Sequence, residues 1–263
     1  MKISFCTSCM GRSYQLKQTL KKNLEYAKDE NVEFVILNYN SKDDIHDWML
    51  TEIQPIHANK VVYFRTDLPE YYSSPHAKNC AHKLGSGDVL VNLDADNFIN
   101  DVIPKIKFWF NKPIRISLAF RTGASVLKSI PKKTETYQHD GLDGAWGKIA
   151  TRKSDFYKIG GYNEQLKGMG AQDADLVRRL RARGITNKII LSKTMDFIPN
   201  NKAASIENIN PQLVKNFSKG SALARWHCLN RFNSALSLKN ISEGKIEANL
   251  GQAWGECGAV QIF

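Results

Sequence analysis

The chain has 263 residues, 42% hydrophobic and 10% aromatic, a composition that can bury a core and is unlike that of a disordered chain. No apolar run reaches the ~20 residues of a membrane-spanning helix, and the start, Met1-Lys2-Ile3-Ser4-Phe5-Cys6, reads as a strand and not as a secretory leader. Five scattered cysteines, Cys6, Cys9, Cys80, Cys228 and Cys257, lack the even spacing of a disulfide framework, so reduced thiols and a cytoplasmic location are expected.

The net charge of +11 is unevenly spread. Residues 1–100 hold 11 Lys and Arg against 13 Asp and Glu, whereas residues 101–263 hold 26 against 13. The basic second part suits an anionic partner: an acidic glycan, a nucleic acid or a phospholipid surface, the last placing the protein at the inner face of a membrane. A solvated basic surface explains the same charge equally well.

In chain order, Ile3 to Thr7 predicts a strand, and Tyr14 to Lys28 a helix with Leu16, Leu20 and Leu24 on one stripe. Val32 to Tyr39 is a continuous apolar run, as expected of a strand covered on both faces. Asp43 to Thr51 predicts a short helix, Lys60 to Arg65 a strand, and Pro75 to Leu84 a helix with proline at its tolerated start. Asp88 to Leu93 predicts a fourth strand. Strands alternating with helices imply a parallel sheet covered by helices, with ligands beyond the carboxyl ends of the strands.

Farther on, Val102 to Phe110 predicts a helix, Ile114 to Phe120 a strand, and 121–145 a long loop with one hairpin. Lys153 to Ile159 predicts a helix closed by Gly160-Gly161, Asp173 to Arg183 a helix ended by Gly184, and Lys188 to Leu191 a last strand. The tail predicts a mostly helical stretch from about Pro211 to Leu238 and a further segment to the end.

The strongest local signal is Asn92-Leu93-Asp94-Ala95-Asp96-Asn97, two carboxylates where a buried strand leaves the sheet. Mg²⁺ or Mn²⁺ takes one or two carboxylates together with substrate phosphates. An exposed turn rich in Asp and Asn gives the same pattern. The second signal is Gly160-Gly161-Tyr162 followed by Gly168-Met169-Gly170-Ala171-Gln172-Asp173-Ala174-Asp175, a glycine loop that delivers Asp173 at a helix start. There an acid is also favoured by the helix dipole, by roughly 0.3–1 kcal/mol.

In this order the two signals resemble the GT-A type of nucleotide-sugar-dependent glycosyltransferase. They are most similar to its inverting family-2 members and to the C-terminal region of the galactosyltransferase family. Ile3 to Thr7 with Arg12 resembles the first strand and donor loop, and Leu37 to Ser41 the turn that holds the base. Ala77-Lys78-Asn79 and Gly85-Ser86-Gly87-Asp88 resemble the helix reaching the donor, and Asp94-Ala95-Asp96 stands at the DxD motif.

The resemblance implies an open, mostly parallel α/β sheet flanked by helices, with a helical C-terminal tail. Residues 1–100 would be the nucleotide-sugar-binding half, 101–193 the acceptor half of the same domain, and 194–263 the helical extension. It implies a Mn²⁺ or Mg²⁺ ion on Asp96 and Asp94, with Asp94 also at the ribose. Thr7, Arg12 and Asn38 would meet the base and ribose, and Lys78 the ribose or diphosphate. Asp173 would be the general base of an inverting transfer from a nucleoside-diphosphate sugar, a UDP-sugar first, to an acceptor hydroxyl. Asn38 and Gln172 depart from the family, which usually has Asp and Glu there. The acceptor stays open between a surface glycan, a lipid-linked intermediate, a protein and a nucleic acid.

Three further features invite other chemistry. Cys6-Thr7-Ser8-Cys9 has redox spacing. His227 is the only histidine after Asp173, and some relatives supply a histidine to the metal there; packing beside Trp226 is the plainer expectation for it. A basic nucleic-acid-binding protein, or a sugar transferase acting on modified DNA, would also want the positive second part.

Overall fold

The computed structural model describes residues 1–28, 30–122, 147–192, 197–199, 201 and 204–263. The loop and hairpin expected over 121–145 lie outside these residues, apart from Arg121 and Thr122.

The first half follows the strand–helix alternation of its sequence. Strand β1 (Ile3–Cys9) leads to helix α1 (Ser13–Tyr26), then β2 (Val32–Tyr39). A helical run α2 is built from Ile45–Trp48, a π-helical turn Met49–Ile53 and Gln54–His57, longer than the short helix predicted. Strand β3 (Val61–Thr66), α3 (Ser74–Leu84) and β4 (Val89–Leu93) complete this half. Then come α4 (Val102–Phe110), β5 (Ile116–Thr122), β6 (Lys148–Arg152), α5 (Lys153–Lys158), α6 (Gln172–Ala182) and β7 (Thr186–Ser192). The tail holds α7 (Pro211–Phe217), α8 (Ala222–Ser242) and the short β8 (Val260–Gln261).

All eight strands share one sheet, in the order β7-β5-β6-β4-β1-β2-β3-β8. Strands β4, β1, β2 and β3 run parallel, as do β5 and β7. Strand β6 is antiparallel to both β4 and β5, and β8 is antiparallel to β3. The sequence does not announce β6. Its run Lys-Ile-Ala-Thr-Arg carries charges at both ends, yet Lys148 is 2% exposed and donates from Nζ to the Phe98 carbonyl at 2.9 Å.

Period-two alternation divides the core between the two sheet faces. Ile3, Phe5, Phe34 and Ile36 pack with Leu16 and Leu20 of α1 and Ile106 of α4. Cys6, Val35 and Leu37 pack on the other face with Ala77 of α3, Phe156 of α5 and Leu176 and Leu180 of α6. A third, smaller cluster joins Ile209 and Val214 to Leu229 of α8. The mostly helical tail expected over about 211–238 consists of two helices. Ser221 starts the second, its Oγ accepting from the Ala224 N–H at 3.3 Å, and Asn210 caps the first through Gln212 and Leu213.

Buried polar side chains fix the loops at the carboxyl end of the sheet. On α1, Thr19 Oγ1 donates to the Ala95 carbonyl at 2.7 Å, and Asn23 donates to Asn97 and accepts from Ile99. On α6, Arg179 is 1% exposed; it donates to Asp175 Oδ2 at 2.7 Å and to the carbonyls of Ile159 (2.9 Å) and Gly161 (2.7 Å). Both Gly160 and Gly161 have positive φ, and a Cβ on Gly160 would stand 2.0 Å from the Ala248 oxygen.

The Arg179–Asp175 pair generates a stability prediction. Replacing Arg179 with Met strands a fully buried carboxylate and should cost about 3–5 kcal/mol in urea unfolding. The double variant Arg179→Met, Asp175→Leu should recover most of that loss, because no uncompensated charge then stays buried.

Candidate active site

Beyond the carboxyl ends of β1 and β4 lies a cleft lined by Arg12, Tyr72, Lys78, Asp94, Asp96 and Gln172, with Ser8, Met169 and Asn208 among its other walls. Strand β4 ends at Leu93, and residues 94–97 form a turn closed by the Asn97 N–H donating to the Asp94 carbonyl at 2.9 Å. The turn brings Asp94 and Asp96 to the same cleft, with Thr19 and Asn23 of α1 bracing it from behind.

Helix α3 supplies Lys78, whose side chain is 5% exposed. Its Nζ donates to Asp173 Oδ1 at 2.8 Å and Oδ2 at 3.1 Å, and stands 3.2 Å from Asp94 Oδ1. One ammonium thus joins the turn after β4 to the first turn of α6. Burial alone would push Lys78 down, but the Asp173 and Asp94 carboxylates outweigh it and hold the lysine well above its usual range.

The three acids of the site are not equivalent. Burial pushes Asp173 up to about 6; the Lys78 charge pulls it down and the Asp94 charge pushes it up. Burial also pushes Asp96 up to about 6, helped by the like charge of Asp94, while the Asn97 amide donating to Asp96 Oδ1 at 2.6 Å opposes the rise. Groups poised near neutrality in a cleft are what proton transfer and cation binding use.

Asp173 is held from several sides. Gln172 Nε2 donates to Asp173 Oδ2 at 3.0 Å. The residue before this pair, Ala171, has φ +59°, a left-handed conformation that costs a non-glycine residue about 1–2 kcal/mol. Asn233 of α8, fully buried, offsets it: its amide donates to the carbonyls of Lys167, Met169 and Gly170, and its oxygen accepts from the Lys167 N–H. The Gly160-Gly161-Tyr162 turn is clamped likewise. Asn79 bonds both the N–H and the carbonyl of Tyr162, and Asn249 donates to the carbonyls of Gly160 and Tyr162. Trp254 lies within 6.0 Å of the Phe156 ring centroid, and Lys83 donates to its carbonyl.

Of the residues singled out in the sequence, Arg12, Lys78, Asp94 and Asp96 line the cleft, and Asp173 joins them through Lys78. Thr7 and Asn38 stand behind it. Thr7 is 1% exposed and donates to the Leu93 carbonyl at 2.7 Å; Asn38 is 2% exposed, donates to the Tyr63 hydroxyl at 3.0 Å and accepts from the Ser41 N–H. His227 is exposed on α8. Among the described residues no three His, Cys, Asp or Glu side chains converge on a cation position, so the structure does not bring His227 to Asp94 and Asp96. Trp226 packs on the third cluster, and Phe232 meets the Phe217 ring at 5.0 Å.

The Cys6–Cys9 spacing carries no redox pair. The two thiols belong to clusters on opposite faces of the sheet, and burial pushes both far above the usual cysteine range. Tyr72, Ser74 and Asn208 of the cleft had no signal in the sequence. Thr19 and Asn23 had one: polar residues set beside Leu16, Leu20 and Leu24 on the helix stripe that faces the core.

Residues 125–200 match a family model described as the N-terminal domain of galactosyltransferase, a span containing Gly160-Gly161 and Asp173. A search of curated proteins gives no match. The fold is similar to that of a mannosyltransferase from Pyrobaculum calidifontis solved with GDP-Man and Mn²⁺, at 13% identity and TM-score 0.58, over 94% of this chain and 76% of that one. It is also similar to GalNAc-T7 solved with UDP, GalNAc and Mn²⁺, at 15% identity and TM-score 0.56, over 82% of this chain and 47% of that one. A third likeness is to glucosyl-3-phosphoglycerate synthase from Mycobacterium tuberculosis, solved with phosphoglyceric acid, at 14% identity and TM-score 0.52, over 75% of this chain and 73% of that one. Among the described residues no helix is long and apolar enough to cross a membrane. The chain thus has the GT-A fold seen in nucleotide-sugar-dependent glycosyltransferases, and its residues 125–200, which carry Asp173, are similar to a galactosyltransferase domain.

Proposed function

We propose that the protein transfers a sugar from a nucleoside-diphosphate sugar, a UDP-sugar first, to an acceptor hydroxyl with inversion at the anomeric carbon. The observation that carries this reading is the Lys78 ammonium shared between Asp94 and Asp173. It links a candidate base to a candidate cation-binding turn that lines the cleft.

A divalent cation fits the Asp94–Asp96 pair. Asp96 is raised by burial and by Asp94, and the Arg12 charge opposes that rise only in part, so the pair can still gain from a cation. Among the described residues no third His, Cys, Asp or Glu joins the two carboxylates, and such a pair leaves coordination positions for phosphate oxygens, the habit of Mg²⁺ and Mn²⁺. Mn²⁺ accompanies the donor or its nucleotide in the mannosyltransferase and in GalNAc-T7. When bound, the ion offsets negative charge on the leaving diphosphate.

The remaining steps belong to the chain's own residues. Lys78 and Arg12 line the cleft where a diphosphate would enter and donate to its oxygens. Arg12 meets the nucleoside, with Thr7 and Asn38 shaping that wall from behind. Asp173, oriented by Lys78 on Oδ1 and by Gln172 on Oδ2, takes the proton of the acceptor hydroxyl. The acceptor oxygen forms its bond to the anomeric carbon as the carbon–oxygen bond to the diphosphate breaks, and the electron pair leaves with the nucleoside diphosphate. Gln172 beside Asp173 provides no second acid for a covalent intermediate, which favours a single displacement.

A panel of nucleotide-sugars incubated with Mn²⁺ should reveal slow hydrolysis of one donor by the wild type and none by Asp96→Ala. Absence of hydrolysis of every donor would remove the functional reading. A transfer product with retained configuration by NMR would remove inversion.

Asp173→Asn should lower kcat for transfer by about 10²–10⁴-fold, the usual worth of a general base. At saturating Mn²⁺ the wild-type rate should fall as pH drops through about 6, because the working form of Asp173 is ionised and its value is raised to about 6. A flat profile between pH 5 and 8 would remove Asp173 from the base role.

Without metal, the raised Asp96 favours folding below its ordinary value of 3.8, and that contribution is lost as pH rises through about 6. Asp96→Asn should therefore melt above the wild type at pH 7 and level with it at pH 4. Added Mn²⁺ should raise the melting temperature of the wild type alone.

A further inference from the structure

All five cysteines are free thiols, and two of them meet where the tail returns across α3. Three consecutive tail residues follow one stripe of that helix. Lys83 Nζ donates to the Trp254 carbonyl at 2.8 Å, a Cβ on Gly255 would stand 3.0 Å from the Asn79 Cβ, and the Glu256 carbonyl lies 3.2 Å from His76 Nε2. Residues 76, 79, 80 and 83 share a helix face, so Cys80 sits inside this contact. Cys257 is the next residue of the tail, and its carbonyl accepts from Thr66 Oγ1 at 2.5 Å. The Cys80 and Cys257 thiols are hydrogen-bonded to each other and pack in the same apolar cluster.

The two thiols are unequal. Cys80 is 1% exposed, whereas Cys257 is partly open to solvent. The hydrogen bond from Cys80 draws Cys257 below the usual cysteine range against the opposing effect of burial, while the same bond and burial push Cys80 up. The thiolate is the nucleophile, so the reachable partner is also the reactive one. The ring nitrogens of His76 stand 3.7 and 3.8 Å from Cys80 Sγ, close enough to take its proton.

We propose that Cys80 and Cys257 are a reversible oxidation site that consumes one equivalent of a hydroperoxide and closes into a disulfide. The Cys257 thiolate attacks a peroxide oxygen; the O–O bond breaks, water or an alcohol leaves, and Cys257 becomes a sulfenic acid. Cys80 sulfur then attacks the Cys257 sulfur. The S–O bond breaks, water leaves with the Cys80 proton, and the S–S bond forms. Two thiols lose two electrons and two protons, and the peroxide gains them. Thiols already in contact can be bridged with little backbone movement. The bond ties the tail to the helix that carries Lys78 and Asn79. The site is independent of sugar transfer and needs neither donor nor acceptor.

The test treats the full chain with a small excess of hydrogen peroxide and alkylates it in denaturant. Three of the five thiols should remain reactive. The intact mass should fall by two hydrogens, peptide mapping should join the segments carrying Cys80 and Cys257, and dithiothreitol should restore all five thiols. The oxidised protein should melt about 5 °C or more above the reduced one. Cys257→Ser should keep its remaining thiols reactive. Cys80→Ser should stop at the sulfenic acid, with dimedone labelling Cys257. Cys228→Ser, which changes a thiol of α8, should close the pair as the wild type does.

Five reactive thiols after treatment would overturn the proposal. So would a bridge that uses Cys228 or joins two chains, or conversion of Cys257 to a sulfinic acid with Cys80 untouched. Should Cys80→Ser fail to fold, the wild-type peptide map and Cys257→Ser decide.

Discussion

The site depends on one buried ammonium. Placing a lysine 5% exposed near the carboxyl end of the sheet is costly unless its charge is answered, and Lys78 is answered twice, by Asp173 and Asp94. The arrangement works in both directions. The carboxylates keep the lysine charged, and the lysine holds together two segments that approach from different halves of the sequence. It does not neutralise the cleft, because Asp96 remains beside Asp94 and the Arg12 charge offsets the two only in part. The cleft is thus pre-formed and short of positive charge, ready to gain from a cation and from the phosphates the cation brings.

Around that ammonium the protein uses short amide side chains as fasteners. Asn23, Asn79, Asn233 and Asn249 each bond loop backbone that would otherwise have to find water. Each carries a donor and an acceptor at fixed spacing, so one residue satisfies two or more peptide groups. The loops they hold include left-handed positions at Gly160, Gly161, Gly168, Gly170 and Ala171. The unfavourable conformation of Ala171, immediately before the Gln172–Asp173 pair, is paid for by Asn233.

The sequence spoke clearly where a local rule decides structure. Apolar runs marked β1 to β4, leucine spacing marked α1, and Gly85 to Gly87 and Gly184 marked helix ends, because periodicity and backbone freedom act within a few residues. The carboxylate turn and the glycine loop could be read for the same reason. Strand β6 could not, since Lys148 is buried only because the Phe98 carbonyl waits for it. Tyr72 and Asn208 reach the cleft, and Thr7 and Asn38 stay behind it, through contacts made across the sheet that no spacing records. Asn249 and Trp254, whose part in the fold chain order could not suggest, grip a turn about ninety residues upstream.

That grip bears on when the enzyme can first work during synthesis. Strand β8 borders β3, and the Gly255 N–H bonds Glu164, itself held by Asn79 of α3. A ribosome-bound chain that had emerged only as far as β7 would own every acid of the cleft but lack two of the four fasteners, Asn233 and Asn249. The growing polypeptide would stay idle until the region near Trp254 had left the exit tunnel and folded back.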